Sequence, residues 1–121
     1  IKNLKLNVSA PFHCKYMKTA SEKMTGYIND LKMKDLEKPI ISNVTANEIS
    51  SPKEIKSLLI LQIEKRVRWL ESVEYMINNG IKNFVEIGPG KVLSGLIKRI
   101  NKNVKVNSIN NEEDIKLLIN G

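Results

Sequence analysis

Asn83-Phe84-Val85-Glu86-Ile87-Gly88-Pro89-Gly90-Lys91-Val92-Leu93-Ser94-Gly95-Leu96-Ile97-Lys98-Arg99-Ile100 changes its periodicity at the glycines. Lys82 to Ile87 is a short β-rich run. Beyond Gly88-Pro89-Gly90, the apolar residues Val92, Leu93, Leu96, Ile97 and Ile100 recur at helical spacing. Val104, Val106 and Ile109 then alternate as a second strand. Strand, tight turn, helix and strand make a parallel pair joined by a crossover. This reading sets the fold class as α/β with a mainly parallel sheet flanked by helices.

Working outward, Asn110 or Asn111 caps a short last helix carrying Ile115, Leu117, Leu118 and Ile119. Upstream, a helix runs from about Leu70 to Asn79 with Gly80 as its C′ residue. Arg66-Val67-Arg68-Trp69 joins it to an earlier helix that ends near Glu64. That earlier helix opens on Ser51-Pro52-Lys53-Glu54, a capping-box pattern with Pro at the first helical position. Ile55, Leu58 and Leu59 form its apolar face. Gln62 continues the stripe, where it needs hydrogen-bond partners unless the helix end is half exposed. Thr45 to Ser50 reads as a loop, and Ile40 to Val44 as a strand. From about Cys14, the residues Met17, Ala20, Met24, Tyr27, Ile28 and Leu31 share one helical face and are expected in the core. Leu4, Leu6 and Val8 alternate as a first strand.

The chain has 121 residues, 41% hydrophobic and 27% charged, which is one domain's worth of ordinary globular composition. No apolar run approaches the length of a membrane span, and Ile1-Lys2-Asn3-Leu4-Lys5 is not a signal peptide. The first residue is Ile, so further chain upstream is expected. One Cys excludes an intrachain disulfide and fits a reducing compartment. One His and one Cys also exclude the usual zinc constellations. The formal charge of +7 suits an acidic protein partner or a phosphorylated cofactor. It equally suits an AT-rich genome with no functional content. Nucleic acid is disfavoured, because aromatics are 5% and no Lys/Arg run exceeds two residues.

Few residues carry chemistry. His13, the sole histidine, stands where a strand gives way to a helix in Val8-Ser9-Ala10-Pro11-Phe12-His13-Cys14. Histidine changes charge near neutrality, so it is a candidate base. Gly88-Pro89-Gly90-Lys91 is too short for a phosphate loop, and Val92 replaces the Ser or Thr that would hold magnesium. Its glycines are assigned to the turn itself. Ser94 lacks the first glycine of a nucleophile elbow and falls inside a helix. Glu86 ends a strand, yet a single carboxylate there is weak support for catalysis. The residues offer a base without a nucleophile.

Several stretches recur in one order: Val8 to Cys14, Ile41-Ser42-Asn43-Val44-Thr45-Ala46, Gln62 with Val67-Arg68-Trp69, Ser72-Val73-Glu74-Tyr75-Met76, and Phe84 to Leu96. From about residue 4 to 118 the chain resembles the C-terminal part of the malonyl-CoA:acyl-carrier-protein transacylases of type II fatty acid synthesis. Polyketide acyltransferase domains are less similar. The resemblance implies an α/β-hydrolase-like acyltransferase core, of which residues 1–121 are the C-terminal segment. Residues 1–10 are then the end of a small ferredoxin-like subdomain leading back into that core. It further implies ping-pong transfer of malonyl from CoA, through an acyl-serine, to the phosphopantetheine thiol of acyl carrier protein. His13 matches the family's catalytic histidine. Gln62 matches the position whose backbone carbonyl orients it. Phe12 matches the residue beside the histidine that crowds a branched acyl group, a modest specificity signal.

The family's Gly-His-Ser-x-Gly elbow, its carboxylate-binding arginine and its Gln-Gly oxyanion loop have no counterpart here. Lys65-Arg66 stand where many members have Asn-Pro. The expected partners are acyl carrier protein and malonyl-CoA, with no further cofactor, no metal, no nucleic acid and no membrane. Lys65, Arg66, Lys98, Arg99 and Lys102 are candidates for the carrier and the CoA phosphates. By itself the chain is expected not to turn over malonyl-CoA. The expected location is cytoplasmic, or an organelle stroma or matrix in a eukaryote. The alternative is a non-catalytic truncated relative that binds acyl carrier protein.

Overall fold

A computed structural model describes residues 10–120, so the strand expected over Leu4–Val8 lies outside the described residues. The chain divides into two compact units, Ile1–Trp69 and Leu70–Gly121.

In the first unit, a 3-10 turn at Lys15–Met17 leads into helix α1, Lys18–Asp30. Two-residue strands β1, Ile40–Ile41, and β2, Glu48–Ile49, precede helix α2, Pro52–Gln62. α1 packs on α2, and Lys56 Nζ ties them by donating to the Asn29 carbonyl at 2.7 Å. Ile28, Ile49 and Ile55 are the buried apolar side chains, with Ala46 in the loop between the strands.

Three expectations about this unit change. Ser21 and Ile28 are buried on α1, whereas Met24, Tyr27 and Leu31 are exposed. Beyond the 3-10 turn that precedes it, α1 packs chiefly on α2, so a narrow stripe is covered and its apolar flank is left in solvent. The strand read over Ile40–Val44 is shorter and belongs to an antiparallel hairpin, with Ile40 opposite Ile49 and Ile41 opposite Glu48. The ladder stops at Ser42 because its hydroxyl accepts the N–H groups of Val44 and Thr45. A side chain that bonds its own backbone neighbours offers them an alternative to sheet. The capping box at the start of α2 does not form. Ser51 receives Ile55 N–H on its carbonyl, with no bond from its side chain, while Pro52 takes the first position as expected.

The second unit follows the reading closely. Helix α3, Trp69–Asn78, opens at the boundary between units. It ends at Gly80, whose N–H bonds the Ile77 carbonyl while Ile81 N–H bonds that of Met76. That pair of bonds is the Schellman closure. Strand β3, Asn83–Ile87, pairs in parallel with strand β4, Lys105–Ile109, through helix α4, Val92–Ile100. Gly88 and Gly90 have φ of 137° and 95°, values that L side chains rarely adopt. Gly90 N–H is received by Asn110 Oδ1, which stitches the β3–α4 turn to the end of β4. Helix α5, Glu112–Asn120, is capped by Asn111 Oδ1 on Asp114 N–H. Val73, Phe84, Ile97 and Val104 are buried in this unit. No described helix is long and apolar enough to cross a membrane.

Candidate active site

His13 follows a tight turn in which Phe12 N–H bonds the Ala10 carbonyl. Its own φ is +57°, in the left-handed region where non-glycine residues other than Asn, Asp and His are uncommon. A residue held there carries strain of about 1–3 kcal/mol, and it persists only where its surroundings determine the conformation. On one side Cys14 Sγ bonds the Pro11 carbonyl, and on the other the 3-10 turn begins. The ring is exposed at the surface of the first unit.

The structure brings the two expected site residues together. His13 Nδ1 lies 2.7 Å from the backbone oxygen of Gln62. A carbonyl only accepts, so in the neutral ring Nδ1 carries the hydrogen and Nε2 keeps its lone pair. No described residue bonds Nε2. The arrangement can abstract a proton at Nε2 and hand it on, with the ring's rotation fixed from the opposite side.

Helix geometry explains why a main-chain oxygen stands where a triad has a carboxylate. Gln62 is the last residue of α2, and helix C-termini leave their final carbonyls without intrahelical donors. Glu64 and Lys65 N–H groups turn back to Leu61, so the Gln62 oxygen stays open to the imidazole. The Gln62 side chain is half-buried and accepts from Asn43 Nδ2 at 3.3 Å. The inward glutamine therefore finds its partner. Phe12 is 59% exposed in this chain and touches neither of these groups through a polar contact.

Glu86 has a different task from the one considered for it. Its two carboxylate oxygens receive Leu93 N–H at 3.0 Å and Ser94 N–H at 2.7 Å, so it caps α4 from the end of β3. Hydrogen bonding from the Ser94 side chain is the largest effect and holds the carboxyl below its ordinary range; burial opposes it, and the Ser94 and Leu93 backbone N–H groups add to the lowering. A lowered folded value means stabilisation that is complete above the ordinary value of 4.5 and lost as pH falls through the lowered one. Glu86→Gln in the intact protein should lower the urea midpoint near neutral pH, and the gap from wild type should close as pH falls below the lowered value. A gap that persists in acid would show that charge is not what holds the cap. Ser94 Oγ is bonded to Ser108 Oγ at 2.8 Å, as befits a packing residue rather than a nucleophile.

Of the expected basic contacts, Lys65 and Arg66 are exposed in the first unit, and Arg99 and Lys102 in the second. Lys98 instead turns its ammonium onto the carbonyls of Lys102 and Val104, closing the chain after α4. A cavity of about 690 Å³ lies between α4, β4 and α5 and contains neither His13 nor Gln62. Among the described residues, no group of three or more His, Cys, Asp or Glu is arranged to hold a metal.

No family model matches the chain. The malonyl CoA-acyl carrier protein transacylase of Staphylococcus aureus (strain COL) is 44% identical over 111 residues, which are 92% of this chain and 36% of the relative. The crystal structure of an acyl-carrier-protein S-malonyltransferase from Bartonella henselae is similar with a TM-score of 0.88 at 39% identity, over 95% of this chain and 37% of that one. A chain of the solved complex of a type II polyketide synthase acyl-carrier protein with its malonyl-transacylase matches with a TM-score of 0.86 at 34% identity, over 96% of this chain and 38% of that one. The chain thus spans about 36% of the length of the curated relatives it matches.

The parallel strand pair and its crossover helix belong to a chain that shares its fold with solved S-malonyltransferases, which are acyltransferases. The chain belongs to the malonyl CoA-acyl carrier protein transacylase family.

Proposed function

We propose that the protein carrying this chain moves a malonyl group from CoA to acyl carrier protein, with His13 as the general base. The observation that carries the reading is His13 Nδ1 held 2.7 Å from the Gln62 oxygen, with no described residue on Nε2. Its membership of the family supports the choice of acyl group and acceptor.

In the first half-reaction a serine Oγ attacks the thioester carbonyl while its proton passes to His13 Nε2. The C–S bond breaks, and the same proton goes to the departing CoA sulfur. In the second, Nε2 takes the proton of the carrier's phosphopantetheine thiol, the thiolate attacks the malonyl-serine carbonyl, the C–Oγ bond breaks, and the proton returns to the serine oxygen. Proton transfer by a positioned base is worth about 10²- to 10⁴-fold in rate. None of the serines in this sequence stands in an elbow pattern, and Ser94 lies within α4, so the attacking serine is proposed to lie outside the 121 residues. On this reading the chain alone is inactive, the enzyme is cytoplasmic, and no cofactor is required beyond its two substrates.

Incubating the intact protein with malonyl-CoA should add the mass of one malonyl group at a serine, and acyl carrier protein should remove it. An acyl group on no serine ends the proposal. The exposed Lys65 and Arg66, with Arg99 and Lys102 in the second unit, suit an acidic carrier. Raising salt to about 0.5 M, where charges are screened within a few ångströms, should raise the KM for the carrier severalfold. An unchanged KM would remove these residues from carrier binding.

A further inference from the structure

We infer that Asn43 is a positioning residue for the His13 base, acting through the side chain of Gln62. The inference rests on the acyl-transfer reading above and adds a member to its machinery.

The bonds run in one line. Arg68 donates its backbone N–H to the Asn43 carbonyl at 2.9 Å and its Nη1 to the Thr45 carbonyl at 2.9 Å. With Ser42 Oγ gathering the N–H groups of Val44 and Thr45, the loop that carries Asn43 is held from both sides. Asn43 Nδ2 then donates to Gln62 Oε1 at 3.3 Å, and the Gln62 backbone oxygen meets His13 Nδ1 at 2.7 Å. Both amide side chains are half-buried and line a cavity of about 150 Å³ whose other walls include Ile41, Ile49, Ile55 and Leu58. In that apolar setting each amide has few other partners, so the bond between them is directional.

The need for such a tether follows from where Gln62 sits. Helix ends fray, and α2 stops at this residue. A carbonyl on a fraying turn would present a moving acceptor to the imidazole, and the ring would lose both its orientation and its single tautomer. Fixing the side chain of the same residue fixes the peptide that bears the oxygen. A hydrogen bond of this kind, misplaced by its loss, is expected to lower turnover about tenfold.

The test uses the intact protein with Asn43→Ala, Gln62→Leu and the double substitution, none of which removes the Gln62 carbonyl. Each single variant should lower kcat for malonyl transfer about tenfold and leave KM for malonyl-CoA unchanged, and the double variant should fall no further than either. Ring-nitrogen NMR of His13 should change from one tautomer, hydrogen on Nδ1, to a mixture. Wild-type kcat in either single variant, losses that multiply, or an unchanged tautomer overturns the inference. If Asn43→Ala does not fold, Gln62→Leu decides alone. His13→Asn separates the two claims. If it is inactive while Asn43→Ala is at wild-type rate, only the positioning role is wrong. If it matches wild type, the acyl-transfer reading has failed.

Discussion

His13→Asn in the intact protein should lower kcat for malonyl transfer by about 10²- to 10⁴-fold, the usual contribution of a positioned base. Asparagine is the replacement of choice because it tolerates the left-handed backbone that His13 adopts at φ +57°, so the loss reports the ring and not relieved or added strain. The shorter amide cannot place a basic nitrogen where Nε2 stands. The measurement is the single-turnover rate of serine acylation, which isolates the first proton transfer from product release. Activity within a few-fold of wild type would remove His13 from the chemistry. Gln62 behaves differently, because its contact with the ring is made by the main chain, so a side-chain substitution loosens the acceptor without removing it. Its variants should therefore lose far less than His13→Asn.

Ile55→Ala should cost about 2–5 kcal/mol of stability, the range for deleting a large buried aliphatic side chain. Ile55 is 3% exposed, sits in the first turn of α2 and lines the 150 Å³ cavity beside Asn43 and Gln62. Truncation enlarges a void that already exists, so there is little for the surroundings to collapse onto, and the upper part of the range is expected. The same change loosens the helix whose last carbonyl holds His13, so kcat should fall along with the denaturation midpoint. Urea titration of the intact protein checks the first outcome and single-turnover acylation the second. A loss under about 1 kcal/mol would mean that the site repacks, against the close packing on which the estimate rests.

Local periodicity made the second unit legible. The run from Asn83 to Ile109 carries its strand, turn, helix and strand in consecutive residues, each with its own signal, and the parallel register of β3 and β4 follows. Gly80 likewise announces the end of α3, because a chain reversal after a helix has few residues able to make it. The hairpin was not legible. Two-residue strands are shorter than any alternation, and the ladder ends where the Ser42 hydroxyl competes for backbone N–H groups. Nor could the flank of α1 be placed, since Met24, Tyr27 and Leu31 have the spacing of a core stripe whether or not an element covers them.

The site divides in the same way. His13 stood out because it is the single histidine, and its resemblance to a family base gave Gln62 a role beside it. Glu86 as a helix cap and Asn43 as the partner of Gln62 carry no local signal, for their contacts join residues 7 or 8 apart and 19 apart respectively. Sequence by itself determined the α/β class, the strand–turn–helix of Phe84 to Ile100 and the identity of the candidate base. Only the tertiary structure decided which nitrogen of that base is free, which face of α1 is buried and what steadies the end of α2. The physical reason is range: propensity and periodicity act between neighbours along the chain, whereas a hydrogen bond selects its partner by distance in space.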